Sequence, residues 1–385
     1  MCGFSDIVKN RLRKSDVDAW RPSLNSSTKK SKNLLIMAAG TGGHIFPGLA
    51  IAETMQERGW SVTWLGTSKG MENQIVPKHQ IAMDNIDFSG LRGKGWVHSL
   101  SGAYKLIASF FTCMRILGKR KPDVVLGMGG YVTVPGGLMA ALRGKPVVLM
   151  NADAALLLSN KALRPIAKKL LFGLPSSLPN SDGKMVVTGN PIRKEICQLR
   201  SPHVRYAERR GALRILVVGG SLGAKVLNES IPDALALMPV EMRPIVTHQS
   251  GKQHIETLKK RYADCEVKAE VLDFIDDMPR RYAEADLVIC RAGAITISEL
   301  TAAGVASILI PFVASSTSHQ KDNALWMAEK KAAIYLPQAE LNAKTLAYTL
   351  SQMSRAQCQE MAQTAYLLGQ REANQVIAKI LENLV

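Results

Sequence analysis

Residues 34–44 have the sequence LLIMAAGTGGH, a short apolar run followed by a glycine-rich turn. The apolar run at 34–38 is continuous and bounded by glycine, which predicts a buried strand. A helix is predicted to follow, opened by Pro47 and stopped at Gly59, because proline suits the first helical turn and glycine the end of a helix. A strand, a glycine turn and a helix start make an anion site, since free N–H groups and the helix dipole point at the ligand. His44 lies at the mouth of that site.

A dinucleotide cofactor is the first ligand to consider for this unit. A dinucleotide-binding domain has an Asp or Glu at the end of its second strand, where it binds the ribose hydroxyls. The second predicted strand, at 61–65, is followed instead by GTSK at 66–69. The turn at 40–44 also lacks the third glycine of GxGxxG. The sequence therefore argues against NAD or FAD.

The same pattern recurs in the second half of the chain, where an apolar strand at 214–218 precedes GGSLGA at 219–224. A further unit leads from a strand at 287–290 into RAGAITISEL at 291–300, whose turn N–H groups suit phosphate. Glu299 in that unit can accept two hydrogen bonds from a ribose diol, or it can simply complement the helix dipole. Other predicted strands are 123–126, 146–149, 245–248 and 271–275. This repetition predicts an α/β fold with two Rossmann-like, doubly wound parallel-sheet domains.

Composition limits the classes of function. A chain of 385 residues is long enough for two domains. The formal charge of +17 predicts an anionic partner, but aromatic residues make up only 5% and no nucleic-acid-binding module is recognisable, which argues against nucleic acid. The sequence has no apolar run of 18 residues that could span a membrane. Its six cysteines show no CxxC pair and no metal spacing, which is typical of reduced thiols.

Three basic segments have alternative interpretations. Residues 1–32 are polar and basic, which predicts a disordered extension, a wrongly assigned start or an arm that touches anionic lipid; the DxD at 16–18 follows no predicted strand and is discounted. The loop SGLRGKG at 89–95 is either a mobile turn or a loop that closes over an anionic acceptor. Residues 105–121 combine apolar residues at helical spacing with five cations. That pattern fits core packing and a helix in a bilayer interface equally well.

Eight motifs in order resemble the MurG family of glycosyltransferases, from about residue 33 to the end of the chain. They are GTGGH (40–44), GLRGKG (90–95), GMGGYV (127–132), GNPIR (189–193), GGSLGA (219–224), DFIDDM (273–278), RAGAITISEL (291–300) and HQKDNA (319–324). The resemblance implies a GT-B fold, in which the two Rossmann-like halves face each other across a cleft. The implied division is a 1–32 extension, an N-terminal domain at 33–193 joined by a C-terminal helix at 371–385, and a C-terminal domain at 194–370.

The implied activity is the inverting transfer of N-acetylglucosamine from UDP-GlcNAc to the C4 hydroxyl of undecaprenyl-diphospho-MurNAc-pentapeptide, the step from lipid I to lipid II in peptidoglycan synthesis. The implied location is peripheral, on the cytoplasmic face of the bacterial inner membrane, against an anionic lipid surface and near other cell-wall enzymes. The resemblance implies no cofactor and no metal.

Site residues follow from the resemblance position by position. His44 would be the base, because a histidine with an ordinary pKa suits proton removal near neutral pH. Glu299 would hold the ribose diol, Ile275 would meet the uracil through its backbone, and Arg193 would lie beside the base. Ser221 and the turn at Ala294, Ile295 and Thr296 would hold the diphosphate, and Ile297 and Ser298 would also contact UDP-GlcNAc. Gln320 and Asn323 would read the sugar hydroxyls, and Thr41, Gly42 and Gly43 would line the cleft. Tyr131, Arg92 and Lys94 would lie on the acceptor side.

The chain departs from the family pattern after the strand that ends at Leu149. The family usually has His-Glu-Gln-Asn there, whereas positions 150–153 are MNAD. Its acidic residue has become Asn151, and the asparagine at the donor sugar has become Asp153; Ala39 also replaces a usual glycine. Either the carboxylate has moved by two positions, which keeps the charge of the cleft but not its geometry, or the efficiency of the enzyme is altered. Two other functions also stay open: another GT-B UDP-sugar enzyme, such as a glycolipid glycosyltransferase or a UDP-GlcNAc 2-epimerase, and, because of the altered segment, a membrane-bound scaffold that binds nucleotide without turnover.

Overall fold

The structure is a computed structural model that describes residues 31–87, 96–176, 178–220, 223–312 and 319–385, with the backbone only at 96–103. The predictions for residues 1–30, for the loop with Arg92 and Lys94, and for Ser221 lie outside the described residues.

The first half is built on a seven-stranded parallel sheet with the strand order β3-β2-β1-β4-β5-β6-β7. Its strands are β1 (Asn33–Ala38), β2 (Ser61–Thr67), β3 (Ala82–Ile86), β4 (Val124–Gly129), β5 (Val147–Asn151), β6 (Lys169–Phe172) and β7 (Met185–Val187). Its helices are α1 (Gly42–Glu57), α2 (Glu72–Ile75), α3 (Trp96–Arg120), α4 (Thr133–Leu142) and α5 (Leu158–Leu163), with a 3-10 turn at Val76–His79.

The second half is built on a six-stranded parallel sheet with the order β10-β9-β8-β11-β12-β13. Its strands are β8 (Arg214–Val218), β9 (Ile245–Gln249), β10 (Glu270–Leu272), β11 (Leu287–Cys290), β12 (Ala306–Leu309) and β13 (Ile334–Tyr335). The helices are α6 (Lys194–Cys197), α7 (Pro202–Ala207), α8 (Lys225–Ala236), α9 (Ile255–Asp264), α10 (Met278–Glu284), α11 (Ala294–Ala303), α12 (His319–Glu329), α13 (Ala343–Ser351), α14 (Arg355–Leu368) and α15 (Ala373–Glu382), with a 3-10 turn at Val240–Met242.

Both sheets are buried on two faces, which explains why their strands are apolar throughout. In β1, Leu34 and Ile36 pack on the face that contains α1, while Leu35 and Met37 pack with α3 and α4 on the opposite face. Successive side chains of a strand point to opposite faces, so the five-residue run fills both cores at once. The predicted fold class, two Rossmann-like parallel-sheet domains, is confirmed.

In each sheet the strand order reverses beside the first strand, between β1 and β4 and between β8 and β11. A parallel sheet binds its ligands at such a switch point, beyond the carboxyl ends of the strands. The glycine-rich motifs noted in the sequence follow these four strands. The topology therefore brings the four turns to the edges where ligands bind.

Two local predictions were wrong. Helix α1 begins at Gly42, and Pro47 lies inside it, because the Thr41 carbonyl already accepts hydrogen bonds from the backbone N–H groups of His44 and Ile45. The strand predicted at 271–275 ends at Leu272. It is an edge strand whose last partner is Gln249, where β9 also ends, so the chain beyond has no strand to pair with.

Helix α15 follows the second half in sequence but packs on the first. Ile377, Ala378 and Leu381 are buried in the same core as α1, and Arg58 at the end of α1 forms an ion pair of 2.6 Å with Glu382. The domain boundaries at 193 and 370 stay a prediction. Within the described part of the chain, no helix is both long and apolar enough to cross a membrane.

Candidate active site

A cleft of about 870 Å³ lies between the carboxyl ends of the two sheets. From the first half it is lined by the α1 N-terminus, including Phe46, and from the second half by the turns that follow β8, β10 and β11. The predicted site residues that line it are Thr41, Gly42, Gly43, Arg193, Ile275, Ile295, Thr296, Glu299 and Gln320.

The N-termini of α1 and α11 face each other across this cleft. A Cβ atom placed on Gly43 would lie 4.0 Å from the side chain of Ile295. Each helix begins with backbone N–H groups that have no partner inside the helix, so the cleft receives two positive dipole ends. This arrangement suits a ligand that carries phosphate groups.

Glu299 is held in place by two donors. Its Oε1 accepts a hydrogen bond from Arg193 at 2.9 Å, and its Oε2 accepts one from the Tyr282 hydroxyl at 3.2 Å. Burial raises the pKa of Tyr282 well above its ordinary value, so the hydroxyl stays protonated as a donor. The Arg193 guanidinium lies 5.6 Å from the ring centre of Phe46. Glu299 and Tyr282 of the second half, Phe46 of α1 and Arg193 from the segment between the two sheets thus form one cluster on the cleft wall.

His44 lies at the start of α1, half-buried, just behind the cleft lining. Its Nδ1 lies 3.2 Å from the Ala39 carbonyl oxygen, and its ring packs against Gly129 of the second glycine turn, where a Cβ atom would lie 2.7 Å from Nε2. Burial lowers the pKa of His44 below its ordinary value of 6.5, although the Ala39 carbonyl, Asp153 and Glu72 raise it. The imidazole is therefore neutral at pH 7 and can accept a proton. Tyr131, for which a position on the acceptor side stays a prediction, is exposed beside this turn.

Segment 150–153, where the sequence departs from the family pattern, is held by hydrogen bonds. Asn151 is fully buried and donates to the carbonyls of Asp153 (2.6 Å) and Ala155 (2.9 Å), while its oxygen accepts from the Leu157 N–H (2.9 Å). The Asp153 carboxylate accepts from Asn323 of α12 at 3.3 Å, so it joins the two halves. Asn151 therefore fixes the conformation of the loop that carries Asp153.

Several predicted site residues lie behind the cleft wall. Asn323 is buried and donates to the Ala292 carbonyl at 3.0 Å as well as to Asp153. Ser298 accepts a hydrogen bond from Asn190 at 2.9 Å. The cleft lining does not include Asp153, Ala294, Ile297, Ser298 or Asn323. Their predicted contacts with substrate stay predictions.

Phe46, Tyr282 and Gln249 also line the cleft and were not predicted from the sequence. Gln249 ends β9, and its place at a strand end could have pointed to it. Tyr282 and Phe46 reach the cluster from helices far away in sequence, and an apolar residue on a helix face carries no signal for such a contact. In the described residues, no group of three or more metal-ligating side chains occurs.

Family models match both halves: the glycosyltransferase family 28 N-terminal domain at residues 34–172 and its C-terminal domain at residues 214–380. A UDP-N-acetylglucosamine–N-acetylmuramyl-(pentapeptide) pyrophosphoryl-undecaprenol N-acetylglucosamine transferase from Herminiimonas arsenicoxydans is 66% identical over 92% of this chain and 99% of its own length. The crystal structure of Acinetobacter baumannii MurG is 36% identical over 91% of this chain and 99% of that chain, with a TM-score of 0.76.

The chain belongs to the MurG family. It is a glycosyltransferase with the two-domain fold that the resemblance implied. The MurG fold is shared more widely: a UDP-GlcNAc 2-epimerase from Neisseria meningitidis, bound to UDP-GlcNAc, has a TM-score of 0.61 at 13% identity over 91% of this chain and 100% of that chain. That likeness shows the fold alone.

Proposed function

We propose that this chain transfers N-acetylglucosamine from UDP-GlcNAc to the C4 hydroxyl of undecaprenyl-diphospho-MurNAc-pentapeptide, with inversion at the anomeric carbon. The observation that carries this proposal is membership of the MurG family over more than nine-tenths of the chain. The cleft supports it because its two helix N-termini suit a diphosphate, and a neutral histidine lies beside one of them.

In this proposal the donor binds mainly to the second half. The uracil lies near Ile275 and Arg193, and the diphosphate lies against the start of α11 at Ile295 and Thr296. The buried Nε of Arg193 has no hydrogen-bond partner among the described residues, which suits a donor to a ligand carbonyl. The ribose diol shares Glu299 with the two protein donors that already hold its carboxylate.

The acceptor hydroxyl attacks the anomeric carbon as UDP leaves in a single displacement. His44 removes the hydroxyl proton, since its Nε2 is the ring nitrogen that does not contact the Ala39 carbonyl. Negative charge grows on the departing diphosphate, and the N–H groups at the start of α11 stabilise it. The protein therefore needs one base on the acceptor side and fixed dipoles on the donor side.

The acceptor is lipid-linked, so the proposal includes a peripheral position on the cytoplasmic face of the bacterial inner membrane. Helix α3 supports it: Tyr104, Ile107 and Phe111 are exposed at helical spacing, and Arg115 and Lys119 are exposed further along the same helix. Apolar burial and attraction to anionic lipid add at such a surface. The other half of the α3 stripe, including Cys113, Ile116 and Leu117, packs in the core.

The test is an assay of purified protein with UDP-GlcNAc, with and without a synthetic short-chain lipid-linked MurNAc-pentapeptide. The proposal predicts UDP release only when the acceptor is present, and a β-linked disaccharide product. Conversion of UDP-GlcNAc without acceptor would indicate an epimerase instead. UDP binding with no transfer to the acceptor would indicate a non-catalytic protein.

A further inference from the structure

Glu72 is a fully buried carboxylate that lies next to the first glycine turn. Its Oε1 accepts hydrogen bonds from the backbone N–H of Thr67 (2.9 Å) and from the Thr67 hydroxyl (2.7 Å), and its Oε2 accepts one from the backbone N–H of Gly40 at 3.3 Å. A Cβ atom on Gly66 or Gly70 would overlap the Glu72 side chain. The chain therefore leaves room for this carboxylate and surrounds it with donors.

The Gly40 N–H and the Ala39 carbonyl belong to one peptide group. The N–H side of this group points to Glu72, and the carbonyl side lies 3.2 Å from His44 Nδ1. Gly40 has φ +101°, a conformation that favours glycine. Behind the carbonyl, the backbone of Gly130 approaches so closely that a Cβ atom there would overlap it. The peptide plane is thus fixed from three sides.

We propose that Glu72 is a positioning residue of the active site: through the Ala39–Gly40 peptide group, its carboxylate holds His44 with the proton on Nδ1 and the Nε2 lone pair free. This inference rests on the proposed role of His44 as the base. Glu72 does not line the cleft, so it acts on the reaction only through the histidine.

The chemistry follows from the direction of each hydrogen bond. A peptide carbonyl can only accept, so the Nδ1 that contacts Ala39 must carry a proton in the neutral ring. A carboxylate that accepts from the N–H of the same peptide makes its carbonyl a better acceptor, because hydrogen bonds in a chain polarise one another. The ring thereby becomes a stronger base at Nε2. Histidines that bind metals are oriented in the same way by a partner on their other nitrogen.

The charged groups that act on the ring are Asp153 and Glu72, and both raise the pKa of His44 against the larger effect of burial. Glu72→Gln removes one of the two charges and keeps the size of the side chain. Glutamine has only one acceptor oxygen, so it cannot accept from both Thr67 and Gly40. The link to the peptide is lost if that oxygen stays with the two donors of Thr67.

For Glu72→Gln we expect kcat to fall about 10- to 100-fold, the scale seen when a group that orients a functional histidine is removed, while KM for UDP-GlcNAc stays unchanged. The acid limb of the kcat–pH profile should move to lower pH, because a negative charge that favoured the protonated ring is gone. Asn73→Ala is the matched control: it removes hydrogen bonds to the Thr67 and Gly70 carbonyls of the same loop but leaves the carboxylate in place. It should lower stability without moving the pH profile.

The decisive readout is the tautomer of His44 in the wild type and in Glu72→Gln. Imidazole ¹⁵N–¹H spectra of the wild-type protein, with the His44 signals assigned by comparison with His44→Ala, report which nitrogen carries the proton. The proposal predicts Nδ1–H, and its loss or mixing in Glu72→Gln. An Nε2–H tautomer in the wild type, or an unchanged tautomer and pH profile in a folded Glu72→Gln, would overturn it. If His44→Ala kept its turnover, the base assignment would fail, while the spectra would still test the positioning.

Discussion

Asn151 occupies a position where the MurG family usually has an acidic residue, but it makes hydrogen bonds that a carboxylate could not make. Where the family usually has an acidic residue, this chain has an amide that donates to two carbonyls and accepts from a backbone N–H. A carboxylate has no hydrogen to donate. Asn151 therefore cannot be a substitute for the family's acid, and in this chain it holds the loop that carries Asp153.

Asn151→Asp should destabilise the protein. It places a buried charge against the carbonyls of Asp153 and Ala155 and leaves both without a donor, which costs about 1–3 kcal/mol or more. Urea unfolding at pH 7 measures the change. Asp153→Asn is the control, since it keeps the backbone carbonyl that Asn151 binds. Equal stability of Asn151→Asp and wild type would show that these hydrogen bonds do not stabilise the loop.

The buried His248 should make the free energy of unfolding depend on pH. It is fully buried, its Nδ1 lies 2.9 Å from the Tyr262 hydroxyl, and burial lowers its pKa to about 3. In the unfolded chain the pKa of a histidine is about 6.5. Between this pH and pH 3, the unfolded state therefore binds a proton at His248 that the folded state does not bind. The contribution of His248 to stability is complete above pH 6.5 and is lost as pH falls from 6.5 towards 3.

The test compares the free energy of unfolding of wild type and His248→Phe from pH 7 to pH 4. The variant should be less stable at pH 7, because Tyr262 loses its partner, but its stability should fall less steeply on acidification. Two curves with the same slope would show that His248 does not titrate in this range.

At the scale of elements, α3 divides its apolar residues between core and solvent. Tyr104, Ile107 and Phe111 are 75%, 56% and 74% exposed. The cations differ as well: Arg120 pairs with Asp84 at 2.6 Å, whereas Lys119 and Lys121 are exposed. Charge reversal of Arg120 would therefore break an ion pair as well as change the surface.

Ile107→Glu combined with Phe111→Glu should release the protein from vesicles that contain anionic lipid, since the change removes apolar burial and adds repulsion. Lys119→Glu and Lys121→Glu should weaken binding in a salt-dependent way. Co-sedimentation measures both effects. Leu367→Glu, at a residue of α14 that is 83% exposed, is the control and should bind as wild type does. Unchanged sedimentation of the variant with both Ile107→Glu and Phe111→Glu would show that α3 does not contact the membrane.

Helix α15 packs its buried face on the core of the first half. Leu381 is fully buried against the core of the first half, so Leu381→Ala should cost about 2–5 kcal/mol, as other buried leucines do. Val376→Ala, at an exposed position of the same helix, should cost little. Hydrogen exchange should show the loss of protection concentrated in α1 and α15. Equal effects of the two substitutions would mean that α15 does not stabilise the first half.

For the whole molecule, the repeated strand, glycine turn and helix predicted two parallel-sheet halves because each unit is local and its apolar run is continuous. The same patterns identified Thr41, Gly42 and Gly43 at the start of α1 and Ile295, Thr296 and Glu299 of α11, all of which line the cleft. The start of α1 was missed because the carbonyl of Thr41, which no propensity reveals, begins the helix five residues before Pro47.

The contacts between distant segments could not be predicted from spacing. The pairs Glu72–Gly40, Asp153–Asn323 and Arg193–Glu299 join residues 32, 170 and 106 positions apart. Each depends on how two loops pack after the sheets have formed. The sequence therefore predicts which edges of the sheets bind ligands, whereas the structure shows which side chains those edges hold in place.

In the proposed reaction, His44 removes the proton from the acceptor hydroxyl. The most direct measurement is kcat of His44→Ala in the acceptor-dependent assay, beside wild type and at matched folded concentration. Loss of a general base predicts a fall of roughly 10²- to 10⁴-fold in kcat with KM for UDP-GlcNAc little changed. Turnover close to that of wild type would contradict this role of His44.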